Sequence, residues 1–115
     1  MIDVSPADFE RMVTAALDQI PVELITMIDN CVILVEEEPP DDLPHTLGLY
    51  SGTPLTERDT TYSGLPDQIF IFRRPILEVC QTEEQVVEEV RITVVHEIAH
   101  HFGIDDERLH ELGYG

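Results

Sequence analysis

The sequence feature that most constrains the fold is a long segment near the C-terminus with helical periodicity, whose second half is apolar on nearly all sides. Thr82 and Gln85 fit a capping box at its start. Apolar residues then recur at helical spacing as far as Phe102. The next residue, Gly103, favours the left-handed conformation that ends many helices. Twenty residues of helix extend about 30 Å, the width of a small domain. The pattern therefore predicts a helix that runs through the core.

Length and charge limit the classes of protein. The chain has 115 residues, 43% of them hydrophobic, and no internal repeat, which predicts one domain over residues 1–115. It carries 24 acidic residues and six arginines, with no lysine, for a net charge of −18. Such a charge repels phosphate, so nucleic acids and anionic membranes are disfavoured as partners. Neither a membrane span nor a signal peptide is visible, and we expect a soluble, cytoplasmic protein. The oligomeric state is not readable from the sequence.

The N-terminal half predicts a second long helix. Ser5 is a capping residue, Pro6 suits a first helical turn, and Asp8 completes a capping box. Apolar residues follow at helical spacing as far as Ile20, and Pro21 ends or kinks the helix. We expect a short further turn of helix within residues 22–28.

Three strands are predicted between these helices. Residues 31–35 are apolar on both faces, which is typical of a central strand. Residues 47–52 form the second predicted strand, and the polar stretch 53–66 is a predicted loop. The third strand is predicted over 68–73, ending at or before Pro75.

The chemistry is concentrated on the long helix, in the pattern HExxH. His96 and His100 stand one turn apart on the same helix face, where two imidazoles can bind one metal ion. Glu97 is turned about 100° around the axis. It is therefore badly placed as a ligand but well placed beside a water molecule activated by the metal. Two histidines and a glutamate are also costly to bury in an apolar helix without a function.

A third metal ligand is predicted just after the helix. Gly103 breaks the helix, and the turn allows Asp106 to swing back as an oxygen ligand, giving the pattern HExxHxxGxxD. Asp106 could instead be an ordinary acid in the first turn of a last helix, Asp106 to Leu112, with Asp105 as its N-cap. His110, one turn later, could replace Asp106 as ligand, although an exposed surface histidine is the simpler interpretation.

These motifs resemble the zincin metallopeptidases, and the chain over about residues 5–114 is similar to a family of small bacterial zincin-like proteins. The matching stretches are Leu47-Gly48-Leu49-Tyr50, Leu65-Pro66-Asp67-Gln68-Ile69, Val94-Val95-His96 and the run from Gly103 to Leu109. The resemblance implies an α+β fold, a minimal zincin-like domain with a small mixed sheet of about three strands on the N-terminal and long helices. It also implies a zinc-dependent peptidase that binds one Zn²⁺ through His96, His100 and Asp106, uses Glu97 as general base, and acts on peptides or proteins.

Two departures from the larger zincins keep an alternative open. The three methionines, Met1, Met12 and Met27, all precede the motif, so the methionine turn of the metzincins is missing. Only twelve residues follow Gly103, which leaves no large C-terminal subdomain. The alternative function is a metal-binding interaction module without independent proteolysis, or one that needs a partner to complete its cleft. A purely structural zinc is less consistent with this ligand set.

The remaining polar candidates have simpler interpretations. His101 could bond to Glu97, but we expect half-exposed packing, and His45 is expected at the surface. Tyr114 could polarise a carbonyl group. Cys31 and Cys80 are expected to be buried free thiols. The acidic runs Glu36-Glu37-Glu38 and Asp41-Asp42 are expected to be solvated. Arg73 and Arg74, at the end of the third strand, are expected to aid solubility rather than to bind an acidic peptide.

Overall fold

The computed structural model describes residues 2–26, 31–51, 67–104 and 106–111, and for Asp106 the backbone alone. Within these residues the chain is an α+β domain, as predicted. The expectations for the loop 53–66, the cap Asp105 and Tyr114 lie outside the described residues. In chain order the elements are α1 (Pro6–Asp18), α2 (Val22–Ile25), β1 (Cys31–Glu36), β2 (Gly48–Ser51), β3 (Asp67–Phe72), α3 (Arg73–Val79), α4 (Glu83–Phe102) and α5 (Asp106–Glu111).

The N-terminal helix begins as the sequence predicts. The Ser5 hydroxyl accepts a hydrogen bond from the Asp8 N–H at 3.2 Å, and Pro6 occupies the first turn. The apolar face of α1 is buried against α4. The short helix α2 follows Pro21 and spans Val22–Ile25, and residues 27 and 28 of the expected turn lie outside the described residues.

The described strands form a mixed sheet in the order β1-β3-β2, with β1 parallel and β2 antiparallel to β3. The prediction that residues 31–35 form the central strand is therefore wrong, because β3 lies between the other two. In β1, Val32 and Leu34 are 38% and 36% exposed. Apolar residues on both faces indicated burial of both, but one face of β1 is open in the part of the chain that the structure describes.

A helix absent from the sequence prediction follows the central strand. The third strand was expected to run to residue 73, but β3 ends at Phe72 and α3 begins at Arg73. Pro75 lies in the first turn of α3, where its missing N–H removes no intrahelical hydrogen bond. The proline that limits the strand thus also starts the helix.

The long helix α4 spans Glu83–Phe102, as predicted. The Thr82 hydroxyl accepts from the Gln85 N–H at 3.1 Å, and the Gln85 side chain in turn accepts from the Gln81 N–H at 2.6 Å. The helix packs on α1, α3, β2 and β3 and supplies much of the core: Val86, Val90, Val94, Val95 and Ile98 are 0% exposed. None of the helices in the described ranges is long and apolar enough to cross a membrane.

Candidate active site

The HExxH residues lie where α4 passes from the core to the surface. Val95, Ile98 and Ala99 are at most 1% exposed, whereas the intervening His96 and His100 are exposed and Glu97 is half-buried. Within the described part of the chain, neither imidazole has a hydrogen bond or ion pair. One side of α4 therefore holds the fold together, and the other presents two unengaged imidazoles one turn apart.

Glu97 is engaged by the edge strand β2. Its Oε1 accepts a hydrogen bond from the backbone N–H of Tyr50 at 2.8 Å. The Phe72 N–H donates to the Leu47 C=O at 3.0 Å, so these two residues form a hydrogen-bonded pair. Antiparallel pairs alternate, and the register therefore turns the N–H and C=O groups of Gly48 and Tyr50 away from β3. The Glu97 carboxylate thus sits at the outer edge of the described sheet.

A second contact fixes how closely β2 approaches the helix. A Cβ atom added to Gly48 would lie 2.5 Å from Thr93 Cγ2 and 3.0 Å from the Phe70 carbonyl oxygen. Thr93 stands one turn before Glu97 on α4, and Gly48 stands two residues before Tyr50 on β2. The two contacts therefore follow one another along the same strand and helix, and the absence of a side chain at Gly48 permits both.

Tyr50 connects the site to a buried carboxylate that the sequence analysis did not single out. Its hydroxyl donates to Asp67 Oδ2 at 2.8 Å, and Asp67 is only 7% exposed. Its ring stacks on His101 with a centroid separation of 3.8 Å and an angle of 11°. His101 therefore packs on the Tyr50 ring, as expected, although its side chain is exposed rather than half-exposed. The donor to Glu97 is the Tyr50 N–H and not His101. The signal for Tyr50 was its place in the family-like stretch 47–50; nothing in the local sequence pairs it with Asp67.

Both cysteines are free thiols, as expected, but the burial expected for both is found only at Cys80. Both are free, Cys80 is buried and Cys31 is half-buried beside Asp67 in the sheet register. Burial, and then the negative charge of Asp67, raise the pKa of the Cys31 thiol, while a hydrogen bond with Tyr50 opposes this rise. Burial also raises the pKa of the Cys80 thiol, followed by the charge of Glu89. Both side chains are therefore protonated thiols at neutral pH.

The backbone after α4 turns as the motif requires. Gly103 adopts a left-handed conformation with φ 69°, and the Ile104 N–H donates to the Ala99 C=O at 2.9 Å, which closes a Schellman-type turn. Helix α5 then begins at Asp106 and carries an exposed His110. Among the described side chains, which do not include that of Asp106, no group of three possible metal ligands occurs. The choice between Asp106 and His110 stays a prediction.

The paired arginines form ion pairs within the described fold. Arg73 pairs with Glu37 and donates to the Val4 carbonyl oxygen, and Arg74 pairs with Glu38. These contacts join the first turn of α3 to the end of β1. The resemblance to the zincins implies that the third strand, which these arginines were expected to end, is the edge beside the substrate. That expectation is wrong, because β3 is central in the described sheet and β2 is the edge strand that faces Glu97. His45 is exposed, as expected.

Among α+β domains, those that carry HExxH on a core helix beneath the edge of a sheet form one class, the zincins, and this chain falls within it. The chain belongs to the zincin-like metallopeptidase family, whose family model matches residues 28–115. Its fold is similar to the solved structure of a conserved hypothetical protein from Thermo thermophilus, with a TM-score of 0.60 and 22% sequence identity. That likeness covers 86% of this chain and 94% of the other and shows the fold alone. No curated protein matches the sequence.

Proposed function

We propose that this chain is a zinc-dependent peptidase in which His96 and His100 hold the metal and Glu97 is the general base. The observation that carries the proposal is the arrangement on α4. Two exposed imidazoles stand one turn apart beside buried core residues of the same helix, and the glutamate between them is bound to the edge of a sheet. This spacing allows both imidazoles to bind one metal ion.

The donor set suits zinc. Neutral imidazole nitrogens are common zinc ligands, and catalytic sites use three protein ligands so that one position stays open. His96 and His100 would supply two of them, with Asp106, which opens α5 directly after the turn at Gly103, as the proposed third. Zinc in such a site lowers the pKa of water and polarises a carbonyl oxygen.

Glu97 would move the proton in peptide-bond hydrolysis. As the water oxygen attacks the scissile carbonyl carbon, the carboxylate accepts a proton from that water. It then passes the proton to the amide nitrogen as the C–N bond breaks, so that a carboxylate and an amine leave. The Tyr50 N–H holds one oxygen of Glu97 at 2.8 Å and leaves the other carboxylate oxygen available for this transfer.

An extended peptide is the substrate that this edge suits best. The Tyr50 N–H of this edge is taken by Glu97, but the outward N–H and C=O groups of Gly48 face the same side, and a peptide can pair with such groups along its backbone. A net charge of −18 disfavours nucleic acid as the substrate. We therefore propose peptides or proteins as the substrate class.

Metal content tests the ligand set. Untagged full chain is loaded with zinc, and its metal is measured by mass spectrometry for wild type, His96→Ala, His100→Ala, Asp106→Ala and His110→Ala. We expect one zinc per chain, lost in the first three variants and kept in the fourth. His45→Ala is the matched control, because this exposed histidine lies outside the motif. Zinc kept in Asp106→Ala and lost in His110→Ala would make His110 the third ligand.

Turnover tests the reaction. The zinc-loaded wild type is expected to cleave members of an unbiased peptide library, and Glu97→Gln is expected to bind zinc without cleaving. Cleavage by the wild type only after cell extract is added would indicate a cleft that a partner completes. Zinc binding without cleavage under either condition would contradict the peptidase and favour the metal-binding interaction module.

A further inference from the structure

Tyr50 on β2 contacts two residues of α4, one before and one after the proposed zinc ligand His100. The Tyr50 N–H donates to Glu97, and the Tyr50 ring stacks on His101. Glu97 and His101 are four residues apart, so they lie on the same helix face one turn apart. His100, a proposed zinc ligand, lies between them along the chain. Tyr50 therefore contacts the last two turns of α4 at two residues that lie one turn apart.

The hydroxyl of Tyr50 is itself held. Tyr50 pairs across the sheet with Ile69, and Asp67 lies two residues before Ile69 on the same face of β3. The hydroxyl donates to Asp67 Oδ2 at 2.8 Å, across to the neighbouring strand. Asp67 is 7% exposed, so water competes little for this bond. With its backbone in the sheet and its hydroxyl on Asp67, the Tyr50 ring has one orientation in which to meet His101.

The approach of β2 to the helix is set one turn earlier, at Gly48 and Thr93, where no further atom fits. The strand can therefore neither move closer to α4 nor rotate freely about it. A fixed strand makes the 2.8 Å bond from the Tyr50 N–H a directional constraint on the Glu97 carboxylate.

We propose that Tyr50, oriented by Asp67, is a positioning residue of this site, which directs the Glu97 carboxylate and steadies the last turn of the ligand helix. Its catalytic consequence rests on the proposed peptidase function. The positioning of Glu97 does not, because the hydrogen bond exists without turnover. Tyr50 acts through Glu97 and His101, and its side chain lies on the face of the sheet turned towards α4.

The first test measures the hydrogen bond directly. Amide hydrogen exchange at Tyr50 is followed by NMR in the full chain, for wild type, Glu97→Ala and Glu37→Ala. Removal of the acceptor in Glu97→Ala should speed exchange at Tyr50 about tenfold, since a bond to a charged acceptor protects the amide more than a neutral one. Glu37→Ala, a change of the same kind at the opposite edge of the sheet, should leave it unchanged. Equal exchange in all three proteins overturns the proposal, whether or not any peptide is cleaved.

The second test uses the side chain in the zinc-loaded chain. Tyr50→Phe keeps the backbone N–H and the ring but loses the bond to Asp67, and we expect kcat to fall about two- to tenfold with KM and zinc content unchanged. Asp67→Ala should lower kcat equally, and the double variant no further. Asp67→Asn, which keeps an oxygen acceptor, should restore kcat to near the wild-type value.

The matched control is Leu49→Ala, on the same strand but on the opposite face of the sheet. It should alter thermal stability without altering kcat. Unchanged kcat in Tyr50→Phe and Asp67→Ala would overturn the positioning role, as would losses in Leu49→Ala of the same size. A wild type that cleaves nothing defeats the peptidase alone, and the exchange measurement then decides the positioning of Glu97.

Discussion

The carboxylates at the two edges of the described sheet have different kinds of hydrogen-bond donor. Beyond the end of β1, Glu37 and Glu38 each meet a guanidinium from the first turn of α3. Along β2, Glu97 meets a backbone N–H, and no ion pair to it occurs among the described residues. One edge neutralises its acidic groups with full positive charges, and the other orients its acidic group with a dipole.

The difference separates a carboxylate held in an ion pair from the carboxylate that we propose as the general base. A guanidinium at contact distance holds a carboxylate by direct attraction between full charges. The ion pair between Arg74 and Glu38 accordingly raises the pKa of the arginine. A single N–H fixes the direction of a carboxylate without adding a whole charge. A general base needs a fixed direction and an available lone pair, and the β2 edge provides both.

The largest expected effect comes from the same substitution at each edge. Glu97→Gln should lower turnover by about 10²–10⁴-fold, because the amide cannot accept the proton of the attacking water. Glu37→Gln should leave turnover unchanged, since its partner is structural. Peptide cleavage by the zinc-loaded proteins measures both, with metal content as the control. Equal losses at the two edges would remove the distinction between the ion-paired carboxylate and the proposed general base.

The close approach at the β2 edge gives the next effect. Gly48→Ala should lower the free energy of unfolding by about 1–3 kcal/mol, because its methyl group would lie 2.5 Å from Thr93 Cγ2. Thr93→Ser removes that methyl group and should recover part of the loss in the double variant. Denaturation in urea measures all three proteins. Additive losses would show that Gly48 and Thr93 are not in contact.

The two arginines that pair beyond the end of β1 should differ in their contribution to the free energy of unfolding. The Arg73 side chain is 14% exposed and also binds the Val4 carbonyl oxygen, so Arg73→Ala should cost about 1–2 kcal/mol of unfolding free energy. Arg74 is 62% exposed, and Arg74→Ala should have a clearly smaller effect, because exposed ion pairs contribute little. Thermal melts in low and high salt compare them. A larger loss for Arg74 would mean that burial does not rank these pairs.

The smallest effect is a pH dependence at Cys31, the first residue of the edge strand β1. The pKa of its thiol in the folded chain is raised above the unfolded value of 9.0, so this thiol contributes stability below pH 9.0 that is lost as pH rises through the folded pKa. In a Cys80→Ala background, alkylation by iodoacetamide should therefore have its midpoint above 9.0. Asp67→Asn removes a charge that raises the pKa and should lower the midpoint. An upward shift would contradict the assigned cause.

Local signals carried the parts of the fold that the sequence predicted. Capping residues and helical periodicity predicted α1 and α4 with nearly their observed ends, and the spacing of His96 and His100 predicted their common place on one helix face, where both are exposed. The sequence did not predict the order of the strands. The apolar residues on both faces of β1 indicated a central strand, but β1 lies at the edge of the described sheet and one of its faces is open. Residue 73 was assigned to the strand because Pro75 can limit a strand or begin a helix. The contact between Tyr50 and Asp67 was not predicted, because it joins two strands that are separated along the chain.

The interleaving of core and site residues on α4 has a consequence for cooperativity. Val95, Ile98 and Ala99 alternate with His96, Glu97 and His100 within the same two turns. These turns cannot open without exposing the centre of the core, so the ligand helix belongs to the most slowly opening part of the molecule. Active sites carried on loops can melt while the rest of the fold persists. Here the proposed ligands His96 and His100 should keep their spacing until the whole domain unfolds.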